Sequence, residues 1–207
     1  MTKTVRRNRD QEVIDAAIQV FSRKGYAAAS MQDVADAVGL LKGSLYHYID
    51  SKEDLLFRIF DESHRQAMEI VDDVVSLDLP PLERMHTYFE RYVKWYLDNV
   101  ERVGLYFNER RYLQGPRRTT VVTQGRFYAR FVQDMIEEAR AAGSVPPDVD
   151  PRFSAFFIMG AVNTLPDWYR PDGPESPAAV ARRYADMTVQ VVTGGLPFRG
   201  RPLRSGG

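Results

Sequence analysis

Apolar residues recur along most of this chain at intervals of three and four positions, in segments separated by glycine, proline and short polar stretches. Such spacing is typical of amphipathic helices, and no segment alternates apolar and polar residues between hairpin turns as a strand would. The pattern therefore predicts an all-α protein of about nine helices. Capping residues, proline and glycine place them at about 10–24, 31–38, 41–48, 52–75, from 81, 101–112, 115–143, 150–165 and 176–194.

The segment from Ser30 to Asp54 gives the sharpest local prediction, which is two short helices around a tight turn and the start of a third helix. Ser30 and Asp33 have the spacing of a capping box, and Ser51 with Asp54 forms a second capping pair. Gly39 suits a left-handed turn, which a residue with a Cβ enters at a cost.

The outer face of the predicted helix 41–48 carries small and polar residues, namely Lys42, Gly43, Ser44, Tyr46 and His47. Glycine lets another backbone come close, and the other side chains donate hydrogen bonds to phosphate oxygens and base edges. This chemistry is that of a recognition helix in a helix-turn-helix motif. An ordinary helical hairpin with a polar face is the alternative, but the spacing, the caps and the outward chemistry agree on DNA binding.

Three segments of this region, 34–40 (VADAVGL), 42–48 (KGSLYHY) and 51–55 (SKEDL), carry a family resemblance. They resemble the TetR family of bacterial transcriptional repressors, as do Val13, Ala17, Val20 and Phe21 with the segment 24–26 (KGY) upstream. Two positions depart from the family pattern. Leu41 stands where a small hydroxyl residue is usual, which costs a helix cap of about 1 kcal/mol, and Ile49 stands where an aromatic residue is usual.

The motif and the resemblance together predict the DNA-binding residues. Lys42, Ser44, Tyr46 and His47 are expected to contact DNA, with phosphates held from the helix starts by Gln32 and Lys52. The complete predicted set is Gln32, Lys42, Gly43, Ser44, Tyr46, His47, Tyr48 and Lys52. One such motif buries too little DNA to be specific, so a homodimer on an inverted-repeat, double-stranded operator is expected.

Composition is compatible with a DNA-binding module joined to a larger helical domain. The chain has 207 residues, 44% of them hydrophobic, no cysteine, and 28 basic against 28 acidic residues. The absence of cysteine excludes a disulfide framework, a thiolate metal site and a cysteine nucleophile. Zero net charge does not argue against DNA binding, because a regulator needs only local basicity. No signal-peptide pattern or membrane-spanning run is present, so a cytoplasmic location is expected.

The predicted domain boundary lies within the helix that begins at Lys52. A DNA-binding domain is expected at 1–55, a ligand-binding and dimerisation domain at 56–197, and a disordered tail at 198–207. The basic residues Lys3, Arg6, Arg7 and Arg9 suggest a flexible arm, either on the phosphate backbone or minor groove of DNA or simply in solvent.

Aromatic residues are dense in the second domain. Several tyrosines on converging helices predict a pocket with a few polar anchors, although a place in the core is commoner for any single aromatic residue. The segments 109–113 (ERRYL), 160–163 (GAVN) and 168–174 (WYRPDGP) resemble the ligand domain of TetR regulators that sense acyl-CoA thioesters. The predicted ligand-binding residues are Tyr88, Tyr92, Tyr96, Tyr106, Arg110, Phe127, Phe131, Phe157, Asn163 and Trp168.

Basic residues near this pocket have two interpretations. Arg110, Arg111, Arg117 and Arg118 suit the phosphates of an acyl-CoA, or else form surface ion pairs. The dimer interface is predicted on the last two long helices, at Ala155, Met159, Val162, Val180, Tyr184, Met187, Val191 and Val192.

An enzyme is the remote alternative. The histidines His47, His64 and His86 lack metal-ligand spacing, and neither a phosphate-binding glycine loop nor a GxSxG elbow is present. No catalytic residue, metal site or cofactor is therefore expected. The nearer alternative is a TetR-like regulator that answers to another hydrophobic ligand such as a drug, or to a protein partner.

Overall fold

The computed structural model describes residues 2–194, with side chains from residue 9 onward, and helices are the regular secondary structure in that range. None of the described helices is both long and apolar enough to cross a bilayer. The elements are α1 (Thr2–Lys24), α2 (Met31–Val38), α3 (Lys42–Leu45), α4 (Lys52–Val75), α5 (Pro81–Asp98), α6 (Val100–Glu109), a 3-10 turn (Arg110–Tyr112), α7 (Gly115–Ala141), α8 (Pro151–Asn163), α9 (Leu165–Trp168) and α10 (Pro177–Val192). The all-α prediction is confirmed, and the predicted tail 198–207 lies outside the described residues.

Several predicted helix bounds were wrong. α1 begins at Thr2 instead of near residue 10, because no proline or glycine interrupts the segment. α3 is shorter than predicted, since Leu41 at its N-cap makes no side-chain cap and the residues after Leu45 continue only as a turn. The additional short helix α9 follows α8, with Pro166 in its first turn.

The predicted caps are present at the helix-turn-helix motif. The Ser30 hydroxyl accepts from the Asp33 amide at 3.2 Å, and the Asp33 carboxylate accepts from the Ser30 amide at 2.8 Å. A hydrogen bond from Lys24 and those from Ser30 lower the pKa of Asp33 to about 2. Gly39 ends α2 in the left-handed region at φ 68°, and Ser51 caps α4 by accepting from the Asp54 amide at 3.0 Å.

Two apolar cores are joined by α4. The first core lies among α1 to α4 and is completed by Leu105, Leu113 and Val121 from α6, the connection after it and α7. The second lies among α4, α5, α7, α8 and α10. α4 supplies Leu55, Leu56, Ile59 and Phe60 to the first core, and Ala67, Val71 and Val74 to the second. Because α4 contributes residues to both cores, a shift of α4 in one core also moves its residues in the other core.

Candidate functional site

The helix-turn-helix motif presents an open polar face. Lys42, Gly43, Tyr46 and His47 are exposed on α3 and the turn after it, beside the 80% exposed Leu41. Apart from its chain neighbours and its own helix backbone, no atom of the residues described here would lie within 4 Å of a Cβ built on Gly43. The packing of the protein therefore gives no reason for glycine at this position, whereas the close approach of a partner would.

Lys52 and Gln32, the predicted phosphate anchors, are held by their own surroundings. Lys52 Nζ donates to the Ala27 carbonyl at 3.3 Å and lies 4.4 Å from the centre of the Tyr26 ring. Burial lowers the pKa of Lys52, against the opposing charges of nearby carboxylates. The Gln32 amide donates to Asp36 at 2.7 Å. Lys52 thus braces the turn between α1 and α2, and any phosphate contact has to be made from that position.

A cavity of about 510 Å³ lies between α4, α5, α6, α7 and α8, a size within the range of small-molecule sites. Buried side chains of Phe60, Tyr92, Tyr96, Tyr128 and Met159 line its interior. Exposed arginines also line it, and these are Arg110, Arg111, Arg118 and Arg126. The cavity is therefore apolar inside and positively charged where it meets solvent.

Polar groups inside the cavity are only partly paired. His64 Nδ1 lies 2.7 Å from the Tyr128 hydroxyl. Burial lowers the pKa of His64, against the charge of Asp61, so the imidazole is neutral at pH 7. Burial also raises the pKa of Tyr92, Tyr96 and Tyr128, so all three keep their protons. The buried Tyr96 hydroxyl has no hydrogen-bond partner among the described residues, which leaves a donor for a bound molecule.

The cavity brings together half of the predicted ligand-binding residues, namely Tyr92, Tyr96, Tyr106, Arg110 and Asn163. Tyr106 lies on α6 with its ring edge-on to Phe60 at 5.5 Å. The Arg110 guanidinium is 5.5 Å from the centre of the Tyr106 ring, at the distance of a cation–π contact.

The expected cavity positions of Tyr88, Phe127 and Phe131 were wrong. Tyr88 is fully buried one layer behind the wall, with its ring 5.3 Å from that of Tyr92. Phe131 packs edge-on against Tyr88 at 5.1 Å, and Phe127 stacks on Phe131 at 5.9 Å on the way to the surface. These residues support the wall because α7 turns its Tyr128 side, and not its Phe131 side, to the cavity.

Phe157 and Trp168, both predicted to bind ligand and the latter with dimer or loop packing as the alternative, lie on the outside of the domain. They are 66% and 48% exposed, and Phe153, Phe156 and Met187 are exposed to a similar degree. We call these five residues the α8–α10 face. An exposed apolar surface of this kind marks an interaction site more often than a neutral surface does.

The predicted dimer residues mostly point the other way. α8 is apolar around its whole circumference, so its sequence does not distinguish an inner from an outer side. Of that set, only Met187 is exposed and Tyr184 and Val191 are half-buried. The residues buried within the protomer are Ala155, Met159, Val162, Val180 and Val192.

Several cavity residues were missed by the sequence reasoning, among them Ser63, His64, Trp95, Gln124 and Gly125. A signal for two of them was present, because Ser63 and His64 share a helical face with Phe60 and Ala67. Polar residues on an otherwise apolar stripe indicate that the stripe faces something other than a dry core.

Backbone contacts tie the cavity wall to the helix-turn-helix domain. The Tyr26 amide donates to Glu109 Oε1 at 3.2 Å, next to the cavity residue Arg110. The Gln114 amide donates to Glu53 Oε1 at 3.0 Å, in the first turn of α4. The segment 109–117, which we call the α6–α7 connection, therefore contacts the DNA-binding module at two places, the turn between α1 and α2 and the start of α4.

Side-chain ion pairs reinforce this contact. Of the two interpretations offered for Arg117, a ligand phosphate or an ion pair, the structure shows the ion pair. Arg117 donates to Asp54 at 2.7 Å, and Arg58 Nε lies 3.0 Å from the same carboxylate. Arg102 is 7% exposed and lies 3.5 Å from Asp15, which ties α6 to α1.

A helix-turn-helix motif with an open polar face, joined through ion pairs to a second helical domain, defines the class of helix-turn-helix transcriptional regulators. Residues 13–59 match the model of bacterial regulatory proteins of the tetR family. Residues 78–192 match the model of the tetracyclin repressor-like C-terminal domain. The chain belongs to the TetR family of DNA-binding transcriptional regulators.

Similar proteins extend this finding over the whole chain. The transcriptional repressor KstR2 of Mycolicibacterium smegmatis is 28% identical over 194 residues, which cover 91% of each chain. The structure of the ketosteroid transcriptional regulator KstR2 of Mycobacterium tuberculosis has a TM-score of 0.81 at 26% identity, covering 90% of this chain and 94% of that one. The structure of AibR in complex with isovaleryl coenzyme A and operator DNA has a TM-score of 0.75 at 26% identity, covering 89% of this chain and 98% of that one.

Proposed function

We propose that this chain is a homodimeric repressor that binds an inverted-repeat operator and leaves it when an acyl-CoA thioester enters the cavity. The observation that carries the proposal is the cavity of about 510 Å³, apolar inside and rimmed by exposed arginines. An apolar acyl chain matches the interior, and the phosphates of CoA match the guanidinium groups. The complex of the similar AibR with isovaleryl coenzyme A and operator DNA supports the same assignment. The protein acts by binding, without catalysis, in the cytoplasm.

The DNA contacts are made from the open face of the motif. Lys42, Ser44, Tyr46 and His47 reach base edges or phosphates, and Gly43 allows the duplex close to the backbone. Gln32, Tyr48 and Lys52 complete the contact set at the edges of the face. Two copies of the motif about 34–36 Å apart read two half-sites related by a dyad.

Dimerisation uses the α8–α10 face. Phe153, Phe156, Phe157 and Met187 are exposed in the protomer, and burial of a side chain of this size contributes about 1.5–3 kcal/mol. Sedimentation should give a particle near twice 23.7 kDa without DNA. A monomer at micromolar concentration would contradict the dimer.

Release from DNA follows from the contacts of the α6–α7 connection. A ligand that binds Arg110 and Arg118 shifts this connection, and with it Glu109 and Arg117, which hold Tyr26 and Asp54 in the DNA-binding module. To move the ratio of the released to the DNA-binding conformation from about 1:99 to 99:1, the ligand must favour the released conformation by about 5.5 kcal/mol.

The test is the affinity for operator DNA, measured by fluorescence anisotropy with and without ligand. Decanoyl-CoA should raise the dissociation constant of the complex by at least about tenfold, whereas free CoA should leave it unchanged because it lacks the apolar chain. If acyl-CoAs of every chain length leave DNA affinity unchanged, the effector is another hydrophobic molecule or a protein partner, and the acyl-CoA assignment is wrong.

A further inference from the structure

We propose that Gly125 sets the size of ligand that the cavity accepts. The space left by its missing Cβ, which we call the seat, holds the Tyr106 hydroxyl away from the ligand. This inference rests on the proposed function of the cavity as the effector site.

The position of Gly125 within α7 has no conformational explanation. It lies in the interior of the helix Gly115–Ala141, where glycine is less stable than alanine. A Cβ built on Gly125 would lie 2.3 Å from the Tyr106 hydroxyl oxygen. Gly104, another glycine inside a helix, meets only a Pro166 carbon at the ordinary distance of 3.9 Å. Space for the phenol is therefore the reason for glycine at position 125.

Tyr106 is flanked by three side chains and borders the cavity. Its ring is edge-on to Phe60 at 5.5 Å and to Phe107 at 5.1 Å, and Arg110 covers it at 5.5 Å. Its hydroxyl donates to the Val121 carbonyl at 3.4 Å, which is a long and weak hydrogen bond. Tyr106 itself lines the cavity, so the open side of the ring is the space that a ligand would occupy.

An alanine at position 125 would close the seat. To reach ordinary contact, the Tyr106 hydroxyl would move by about 1 Å or more, and the cavity is the free space that receives it. Cavity walls that advance by an atom or a methyl group discriminate by ligand size. Gly125→Ala should therefore exclude bulky acyl chains and tolerate short ones.

The first experiment needs no ligand. A crystal structure of Gly125→Ala should show the Tyr106 hydroxyl displaced toward the cavity, with α7 in its original place. A structure in which Tyr106 stays and α7 moves away would overturn the proposal.

The second experiment measures binding of acetyl-CoA and decanoyl-CoA to the full chain by calorimetry. Gly125→Ala should weaken decanoyl-CoA binding by at least about tenfold and change acetyl-CoA binding little. Adding Tyr106→Phe should restore decanoyl-CoA binding, because the nearest remaining ring atom lies 3.6 Å from the new Cβ. Gly104→Ala is the matched control and should behave as wild type.

Equal binding of decanoyl-CoA by Gly125→Ala and the wild type would overturn the role of Gly125 in ligand size. A double variant that is not restored would also overturn it, since the clash is with the hydroxyl alone. If the wild-type protein binds no acyl-CoA, the proposed effector is wrong, and the crystal structure of the variant still decides whether the seat exists.

Discussion

Replacing Arg117 by alanine should separate ligand binding from DNA release. Arg117 connects the start of α7 to Asp54 in the first turn of α4 at 2.7 Å. Its neighbour Arg118 instead lines the cavity. Of these two adjacent arginines, Arg118 faces the ligand cavity and Arg117 contacts the DNA-binding module. Each variant therefore serves as the control for the other.

The magnitude follows from burial. The Asp54 side chain is 9% exposed and that of Arg117 is 34% exposed. Removing one partner of a fully buried pair costs about 3–5 kcal/mol. A third of the Arg117 side chain is in solvent, and Arg58 remains 3.0 Å from Asp54. We therefore expect Arg117→Ala to lower the free energy of unfolding by about 1–2 kcal/mol. For a chain of this size, this corresponds to a fall in melting temperature of about 2–8 °C.

Thermal melting and operator anisotropy together test this expectation. Arg117→Ala should melt earlier and bind the operator within about threefold of wild type, because it touches no residue of the polar face. Its response to decanoyl-CoA should fall to less than about a third of the wild-type response, since the link to α4 is broken.

Arg118→Ala should show the opposite profile, with an unchanged melting temperature and weaker binding of decanoyl-CoA. An Arg117→Ala protein that melts like wild type and is released from DNA as efficiently would refute the role of the ion pair, both in stability and in transmission.

Further predictions concern the DNA face, the dimer and the half-buried His64. Gly43→Val should abolish operator binding in anisotropy and leave the melting temperature nearly unchanged, because the new Cβ would meet no atom of the described residues within 4 Å beyond its own helix backbone and chain neighbours. Retained binding would contradict close approach by DNA. Phe156→Glu should convert the dimer to monomer in sedimentation, and a persistent dimer would place the interface elsewhere. Burial lowers the pKa of His64 below its unfolded value of 6.5, so the unfolded chain binds the proton first and stability falls as pH drops from about 6.5 toward the folded pKa. His64→Gln should flatten the plot of melting temperature against pH in this range. An unchanged slope would exclude His64 as the source of the pH dependence.

The DNA-binding motif was predictable because its signals are local. The capping box at Ser30 and Asp33, the left-handed Gly39 and the cap at Ser51 each depend on residues close together in sequence, and all are present in the structure. The missing side-chain cap at Leu41 was also visible in the sequence, although the resulting α3 is shorter than predicted. Local chemistry of this kind does not depend on how distant helices pack.

The ligand site was only partly predictable because it depends on helix rotation. Tyr128 lines the cavity, whereas Phe131, one turn further along α7, supports the wall from behind. On α8, Phe157 is exposed and Met159 is buried, although both are apolar. Which apolar stripe faces inward is set by the other helices, so the residues of α7 and α8 alone did not reveal it.

Coupling between the cavity and the DNA-binding motif involves more than α4. One route runs from the cavity along the continuous helix α4 to Lys52 at its start. In the structure, Lys52 lies over the Tyr26 ring, and the Tyr26 amide is bonded to Glu109 beside the cavity. The two routes, along α4 and through the α6–α7 connection, therefore meet at the turn between α1 and α2. We infer that this turn, and not α4 alone, orients the motif. A ligand that pulls Glu109 away from Tyr26 would tilt the motif even if α4 stayed still.

Glu109→Gln, which keeps the hydrogen-bond acceptor, should preserve release by decanoyl-CoA, whereas Glu109→Ala should change operator affinity even without ligand. If the two variants and the wild type bind the operator with equal affinity, the coupling runs along α4 and not through Glu109.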